Sequence, residues 1–462
     1  MGFAVLLNAT IKPINLLLEN IVQDKIGHIQ YGIFAALNAL AFLFIVLLDL
    51  GINQFITKDL SSNPDIQSSQ LSDYFSLKVV LAVMYPFLMM GVGYILGYSS
   101  SEIILLFIIS VTYSFYQLVM YLRAKFQASQ FFNLDSLASV SDKSILIVLT
   151  LALLLMGISV LTYVEARLLS MVVTFLILFL PAWKLYTSKS FQLRWNHPSW
   201  QQILKQTYPF ALITILFSMH DKIDQVMIER MLGDHASGLY AGAYRWLDAF
   251  MMFLWIVLPI FFARFSYVRK NPDELSGLLS MAQIVSAIPM IIVTCFVWFY
   301  GENLFFLLGN STPFEIEEMT LCLKILFSAV MIHAFFACLG TLLSATGGEH
   351  FINRMLVISI LINVVLNVFL LPAMGISGAA LATVISNLFV SGSYVYFIYK
   401  NKHVQINYAI TVKLMGIAVL CTAASYFIHS AGILWWQAGI LLCCITSIAA
   451  FALGLHKVIR KI

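Results

Sequence analysis

Charged residues are scarce in this sequence. Only 10% of its 462 residues are Asp, Glu, Lys or Arg, and 61% are hydrophobic, whereas a soluble domain has about 25% charged residues. A water-soluble fold of this length could not hide so much apolar surface, because surface area still grows with chain size. The composition therefore excludes an ordinary soluble protein and favours one that is solvated by lipid.

Cysteine clusters and phosphate-binding loops are lacking as well. The six cysteines all fall within apolar runs, and neither GxxxxGKS nor GxxxxGKT occurs. The pattern thus favours neither a disulfide framework, nor a zinc site, nor ATP hydrolysis through a phosphate-binding loop. No connection between the apolar runs is long enough to form a soluble catalytic domain. We therefore expect a protein without a metal, a cofactor or a nucleic-acid partner.

Apolar runs of membrane-spanning length are abundant. A transmembrane helix needs about 20 mostly apolar residues, and these runs do not alternate as the strands of a membrane barrel do. We predict an all-α integral membrane protein with about fourteen transmembrane helices. The predicted spans are 2–21, 31–55, 76–96, 102–122, 144–161, 166–185, 207–231, 238–265, 282–308, 319–345, 355–371, 376–399, 411–428 and 433–455.

Loop charge predicts the orientation of these spans. Loops after even-numbered spans, together with the C-terminal tail, hold nineteen of the 26 Lys and Arg residues. Among these nineteen are Lys58, Lys78, Lys143, Lys402 and Lys461, and the loops after odd-numbered spans hold three, Lys25, Arg167 and Arg230. Positive loop charge accumulates on the cytoplasmic side of a membrane. We therefore predict a multi-pass membrane protein with both termini in the cytoplasm. The first span has no cleavage pattern, so we expect it to be retained.

An internal repeat relates the two halves of the chain. GHIQYGIFAA begins at Gly27 and GDHASGLYAG at Gly233, an offset of 206 residues; MGIS begins at Met156 and again at Met374, an offset of 218 residues. Six spans thus recur as six more in the same direction. We predict two pseudo-symmetric six-helix lobes, residues 1–200 and 201–402, and an extra helix pair with a cytoplasmic tail at 403–462. Such lobes could open a central cavity alternately to either side, or could be a duplication that serves packing alone.

Ionisable side chains inside predicted spans are the candidate functional residues. Each charge at mid-membrane costs roughly 2.5–3.5 kcal/mol even on the lenient insertion scale, so it usually faces a cavity or a partner. Asp221 and Asp224 are three residues apart and share a helix face, as do Arg245 and Asp248. The candidates for substrate binding are Lys12, Lys222, Arg245, Lys324 and His333, and the candidates for coupling or charge pairing are Asp221, Asp224 and Asp248.

Two hypotheses fit these residues. In the first, the cations line a water-filled chamber that attracts an anionic headgroup, while the carboxylates position the cations or couple transport to protons or another cation. In the second, the charges form internal salt bridges that fix the helix bundle without contacting substrate. His333 alone is more often a buried imidazole with a satisfied hydrogen bond than a ligand.

Three segments resemble bacterial polysaccharide flippases of the multidrug/oligosaccharidyl-lipid/polysaccharide (MOP) exporter superfamily. The first is DKIDQVMIERMLGDHASGLYAGAYR at 221–245, and the second is DLGINQFITKDL at 49–60. The third spans 344–387 and contains the pair Asn363 and Asn367 and the turn MGISGAA. The resemblance extends over essentially the whole chain, and the combination of segments in this order is more specific than any one of them.

The resemblance implies a flippase of the O-antigen (Wzx) type. Such a protein moves an undecaprenyl-diphosphate-linked oligosaccharide from the inner to the outer leaflet of the cytoplasmic membrane. The expected partners are that substrate, membrane lipids, a proton or sodium ion, and the polysaccharide polymerase machinery. A cationic chamber would suit the diphosphate, because Lys and Arg pair well with phosphate oxygens.

Three alternatives remain open. A cation-coupled drug or metabolite exporter of the same superfamily would have a more acidic cavity and twelve spans that end near Tyr399. The lipid II flippase of peptidoglycan synthesis also has fourteen spans. A membrane polysaccharide polymerase would need a large outer loop with catalytic Arg or His, and the connections here are short, so we do not expect an enzyme.

Overall fold

The computed structural model of the chain describes residues 2–53, 55–56, 68–129, 131–185, 188–195, 197–401 and 407–460. Across these ranges the protein contains sixteen α-helices and two short 3-10 turns, at Ser188–Phe191 and Gly301–Phe305, and no strands. The prediction of an all-α membrane protein is confirmed. The helices are α1 (Gly2–Ile26), α2 (His28–Leu43), α3 (Val46–Asp49), α4 (Ser68–Ile95), α5 (Ser100–Ala128), α6 (Phe132–Met156), α7 (Val160–Leu185), α8 (His197–Leu232), α9 (Asp234–Val268), α10 (Pro272–Tyr300), α11 (Pro313–Ala345), α12 (Glu349–Met374), α13 (Ile376–Asn401), α14 (Tyr408–Ser430), α15 (Trp435–Ala452) and α16 (Leu455–Arg460).

Eleven of these helices are long and apolar enough to cross a membrane, counted over the described ranges: α4 to α7 and α9 to α15. The other three predicted spans fall on α1, α2 and α8, so the number fourteen stays a prediction. The second predicted span is interrupted, because α2 has only 16 residues and the chain turns before α3. Of the loop charges counted above, Lys58, Lys402 and Lys461 lie outside the described residues, as does the predicted boundary at 402–403.

Local sequence explains where several helices begin. Ser99 accepts a hydrogen bond from the Glu102 amide, and the Glu102 carboxylate accepts one from the Ser99 amide, so the two form a capping box at the start of α5. Thr312 and Glu315 form the same motif before α11. A cap of this kind stabilises a helix by about 1 kcal/mol, because it satisfies amides that have no partner within the helix.

The repeated glycine motif forms two similar helix junctions. Gly27 lies between α1 and α2 with φ 83°, and Gly233 lies between α8 and α9 with φ 90°, a conformation that glycine adopts without the penalty of a Cβ. One turn further on, a Cβ built on Gly32 would overlap the Asp234 carbonyl, and a Cβ built on Gly238 would overlap the His28 carbonyl. The two junctions therefore pack against each other through equivalent positions of the repeat.

The chain divides into two compact units, Met1–Gly238 and Leu239–Ile462, so the boundary falls within α9. The core of the first unit is rich in aromatic rings, among them Phe75, Tyr121 and Phe191. The second unit has an aliphatic and cysteine-containing core between α10, α11 and α14, with Ile291, Cys295 and Leu414. The predicted lobes 1–200 and 201–402 stay a prediction.

Candidate functional site

A cavity with both polar and apolar lining residues lies inside the first unit, among α2, α5, α6 and α7. Its volume is about 310 Å³, at the lower end of the range for small-molecule sites. Charged side chains are costly within a membrane-spanning bundle, so the three in its lining call for an explanation. The lining residues are Asn38, Ile109, Thr112, Tyr113, Tyr116, Asp142, Lys143, Val164, Arg167 and Met171.

Arg167 is the cation that α7 contributes to this cavity. Its Nη1 donates a hydrogen bond to the Tyr163 hydroxyl over 3.3 Å and lies 3.6 Å from a carboxylate oxygen of Glu19 on α1. The guanidinium carbon lies 5.2 Å from the ring centroid of Phe34 and 5.7 Å from that of Tyr163. One carboxylate and two ring faces thus stabilise a charge that would otherwise be costly within the bundle.

The opposite walls carry hydroxyl, amide and further charged groups. The Tyr113 hydroxyl donates to Asn38 Oδ1 over 3.2 Å, and the Tyr113 and Tyr116 rings meet edge to face with centroids 6.3 Å apart. Lys143 Nζ lies 3.5 Å from the carboxylate of its chain neighbour Asp142. Two cations, one carboxylate and several hydrogen-bonding groups can bind an anionic group together with neighbouring hydroxyls.

The candidates in α8 lie close together in the chain. Lys222 Nζ lies 3.1 Å from an Asp221 carboxylate oxygen, and both side chains are partly buried. Asp224 is buried in the same helix, whereas Lys12 is exposed on α1.

The remaining candidates belong to the second unit. Arg245 is buried in α9, and Asp248 is half-buried one turn further along. Lys324 and His333 are half-buried at separate positions in α11. Their roles stay predictions. The asparagines that carry the resemblance form a buried hydrogen bond in α12, from Asn367 Nδ2 to Asn363 Oδ1 over 3.0 Å.

Sequence reasoning missed a buried polar network near the break after α3. Lys78 Nζ lies 2.7 Å from Asp49 Oδ1 and donates to the Leu48 carbonyl over 3.2 Å. Gln117 Oε1 accepts from Asn53 Nδ2 over 2.8 Å and lies 3.4 Å from Lys78 Nζ. The turn leaves Leu48 without a continuing helix, so the lysine satisfies a carbonyl that the helix cannot.

Sequence reasoning also treated Arg167 and Lys143 as loop charges. Its predicted spans began at residues 166 and 144, but α7 begins at Val160 and α6 at Phe132. Each cation therefore lies well inside its helix. The signal that could have found Arg167 is its spacing from Tyr163, four residues earlier on the same helix face.

Sequence comparison matches residues 2–266 to the family model described as "Polysaccharide biosynthesis protein". An uncharacterized membrane protein of Methanocaldococcus jannaschii is 24% identical over 188 residues, which are 41% of this chain and 43% of that protein. The match therefore spans less than half of that relative's length.

Several solved transporter structures share the fold. A structure described as the lipid II flippase MurJ in an inward closed conformation has a TM-score of 0.78 at 16% identity, over 98% of this chain and 100% of that one. An inward-facing multidrug resistance MATE transporter of the MOP superfamily has a TM-score of 0.65 at 14% identity, over 84% and 98%. A MOP transporter from Pyrococcus furiosus, whose binding pocket is described as having reverse polarity, has a TM-score of 0.58 at 14% identity, over 87% and 94%.

Proposed function

Because the chain belongs to the polysaccharide biosynthesis protein family, we propose that it is a flippase that carries a lipid-linked oligosaccharide across the cytoplasmic membrane by alternating access. The proposed substrate is an undecaprenyl-diphosphate-linked oligosaccharide, such as an O-antigen unit. Proton or sodium coupling through Asp221, Asp224 or Asp248 is part of the same proposal. The fold shared with MurJ and the MATE transporters supports a transporter.

The observation that carries the proposal is the cavity of the first unit, with Arg167 and Lys143 in its lining. A lipid-linked oligosaccharide has an anionic diphosphate next to a saccharide rich in hydroxyl groups. Arg167 and Lys143 suit the phosphate oxygens, and the Tyr113 hydroxyl and Asn38 amide suit sugar hydroxyls. The isoprenoid tail would stay in lipid, because moving an apolar chain from lipid into a hydrated cavity is unfavourable.

Two other substrates remain candidates. Lipid II is favoured by the likeness to a structure described as a lipid II flippase, and it offers the same diphosphate chemistry. A cation-coupled export of drugs is favoured by the likeness to multidrug transporters and by the buried carboxylate Asp224. Complementation separates these candidates from O-antigen transport.

The chain is expressed in three bacterial hosts: one without its O-antigen flippase, one depleted of its lipid II flippase, and one sensitised to drugs by loss of its exporters. We expect surface polysaccharide to return in the first host at normal membrane levels of the protein. Growth of the second host alone would assign lipid II. Drug resistance in the third host, without surface polysaccharide in the first, would contradict the proposal.

A further inference from the structure

Two arginine–carboxylate pairs in the first unit are alike in exposure but differ in geometry. Arg167 and Glu19 have 22% and 20% of their side-chain surface exposed, and their nearest atoms are 3.6 Å apart. Arg123 and Asp135 have 23% and 20% exposed, and Arg123 Nε donates to Asp135 Oδ1 over 2.7 Å. The second pair is a tight charge-assisted hydrogen bond, whereas the first is longer than a hydrogen bond.

The loose pair leaves hydrogen-bonding capacity on the arginine. The hydrogen bond of Arg167 to Tyr163 and its nearest approach to Glu19 are both made by Nη1. Nε and Nη2 donate no hydrogen bond to the residues that the structure describes. A guanidinium has five N–H donors in a planar fork that matches the oxygens of a phosphate. Arg167 lines the cavity, so these donors are within reach of a ligand.

We propose that the cavity binds a phosphate group through Arg167 and Lys143, and that the bound phosphate displaces the Glu19 carboxylate from Arg167. This inference rests on the proposed function and deepens it, because it names the atoms that meet the diphosphate and the internal group that competes with it. A second negative charge beside Arg167 is unfavourable while Glu19 stays. Binding is therefore coupled to a change at α1.

Helix α1 is fastened at more than this one point. Within α1 itself, Glu19 accepts a hydrogen bond from Asn15 one turn earlier, over 3.2 Å, which does not tie the helix to the rest of the unit. Near the end of the helix, Gln23 Nε2 donates to the Gly238 carbonyl over 2.9 Å. Displacement of Glu19 releases α1 from Arg167 while Gln23 still holds the end of the helix, so we expect phosphate binding to loosen α1 around Glu19 without detaching it.

The first test measures binding to the purified full chain in detergent at low ionic strength, where charge interactions are least screened. The probes are inorganic pyrophosphate and undecaprenyl diphosphate, titrated calorimetrically. We expect Arg167→Gln to weaken both by about tenfold or more, because a charge-assisted hydrogen-bond pair is lost. Glu19→Gln should tighten both by roughly threefold to tenfold, because the competitor loses its charge.

The matched control is Arg123→Gln, which removes an equally exposed arginine from a pair outside the cavity lining and should leave both affinities within about twofold. A general folding defect cannot produce the gain expected for Glu19→Gln. Unchanged binding in Arg167→Gln, or weakened binding in Glu19→Gln, overturns the proposal. If Arg167→Gln loses binding of undecaprenyl diphosphate alone, the site is specific for the lipid-linked anion. If it loses pyrophosphate binding equally, the site recognises the phosphate itself. Both outcomes place a phosphate at Arg167.

The second test follows α1 directly by hydrogen–deuterium exchange. Saturating pyrophosphate should raise exchange in residues 15–20, and Glu19→Gln should raise it without ligand. Unaltered exchange in both cases would overturn the coupling to α1. Failure of these tests is separate from failure of the proposed function, because wild-type complementation of surface polysaccharide depends on neither variant.

Discussion

Single side chains show what the sequence could and could not reveal. The sequence analysis counted Lys78 and Arg167 as loop charges, because the predicted spans began close to them, at residues 76 and 166. The helices begin earlier, at Ser68 and Val160, so both cations lie inside them. Their partners, Asp49 and Glu19, are distant in sequence and come together only through packing. No periodicity in the sequence signals such a pair.

The pair of Lys78 and Asp49 yields a prediction about stability. The Lys78 side chain is fully buried and Asp49 is 10% exposed, so removing one charge leaves the other in a poorly solvated place. We expect Lys78→Met to destabilise the protein by about 3–5 kcal/mol. The double variant Lys78→Met with Asp49→Asn should recover part of this loss, because no unpaired charge is left. The measurement is thermal unfolding in detergent.

Lys184→Met serves as the control, because Lys184 is exposed near the end of α7 and its loss should change stability by less than about 0.5 kcal/mol. If the double variant is as unstable as Lys78→Met, the unpaired charge of Asp49 is not the cause of the lost stability.

At the scale of elements, the repeated glycine motif is the strongest link between sequence and fold. An offset of 206 residues predicted that the segments at Gly27 and Gly233 are equivalent, and both form a helix–glycine–helix junction with positive φ. The sequence did not show that the two junctions touch. That contact depends on the absence of a side chain at Gly32 and Gly238, where backbone of one junction lies against the other.

A methyl group at this contact should be poorly tolerated. The Cβ of Gly32→Ala would overlap the carbonyl of Asp234, which is backbone and cannot rotate away. We expect a loss of about 2 kcal/mol or more in stability, since overpacking of this kind forces backbone shifts. The measurement is the melting temperature of the purified variant.

Gly91→Ala is the matched control, because nothing lies within 4 Å of a Cβ built on Gly91 in α4. Alanine favours the helix over glycine by up to about 1 kcal/mol, so this variant should be as stable as the native protein or more so. If both variants lose the same stability, the close approach at Gly32 is not the cause.

For the whole molecule, composition and hydropathy predicted the all-α membrane fold, and the quoted segments predicted a polysaccharide-related family. The fold and the family are both confirmed. The number of spans was harder, because α2 is short and α8 carries Asp221, Lys222 and Asp224 within its length. The chamber predicted from the sequence had other cations in its lining, so the cavity of the first unit, with Arg167 and Lys143, was not predicted. It depends on four helices that meet in space, and their polar residues are scattered among apolar ones.

The most direct test of the central claim is translocation in proteoliposomes. The purified chain is reconstituted with an undecaprenyl-diphosphate oligosaccharide that carries a fluorophore on its saccharide, and a membrane-impermeant quencher reports the fraction on the outer surface. We predict that the wild-type chain exchanges the lipid between leaflets far faster than empty liposomes do. Arg167→Gln should be slower by about tenfold or more, and Arg123→Gln should match the wild type within about twofold. Wild-type exchange no faster than in empty liposomes would contradict the account, and so would undiminished exchange in Arg167→Gln.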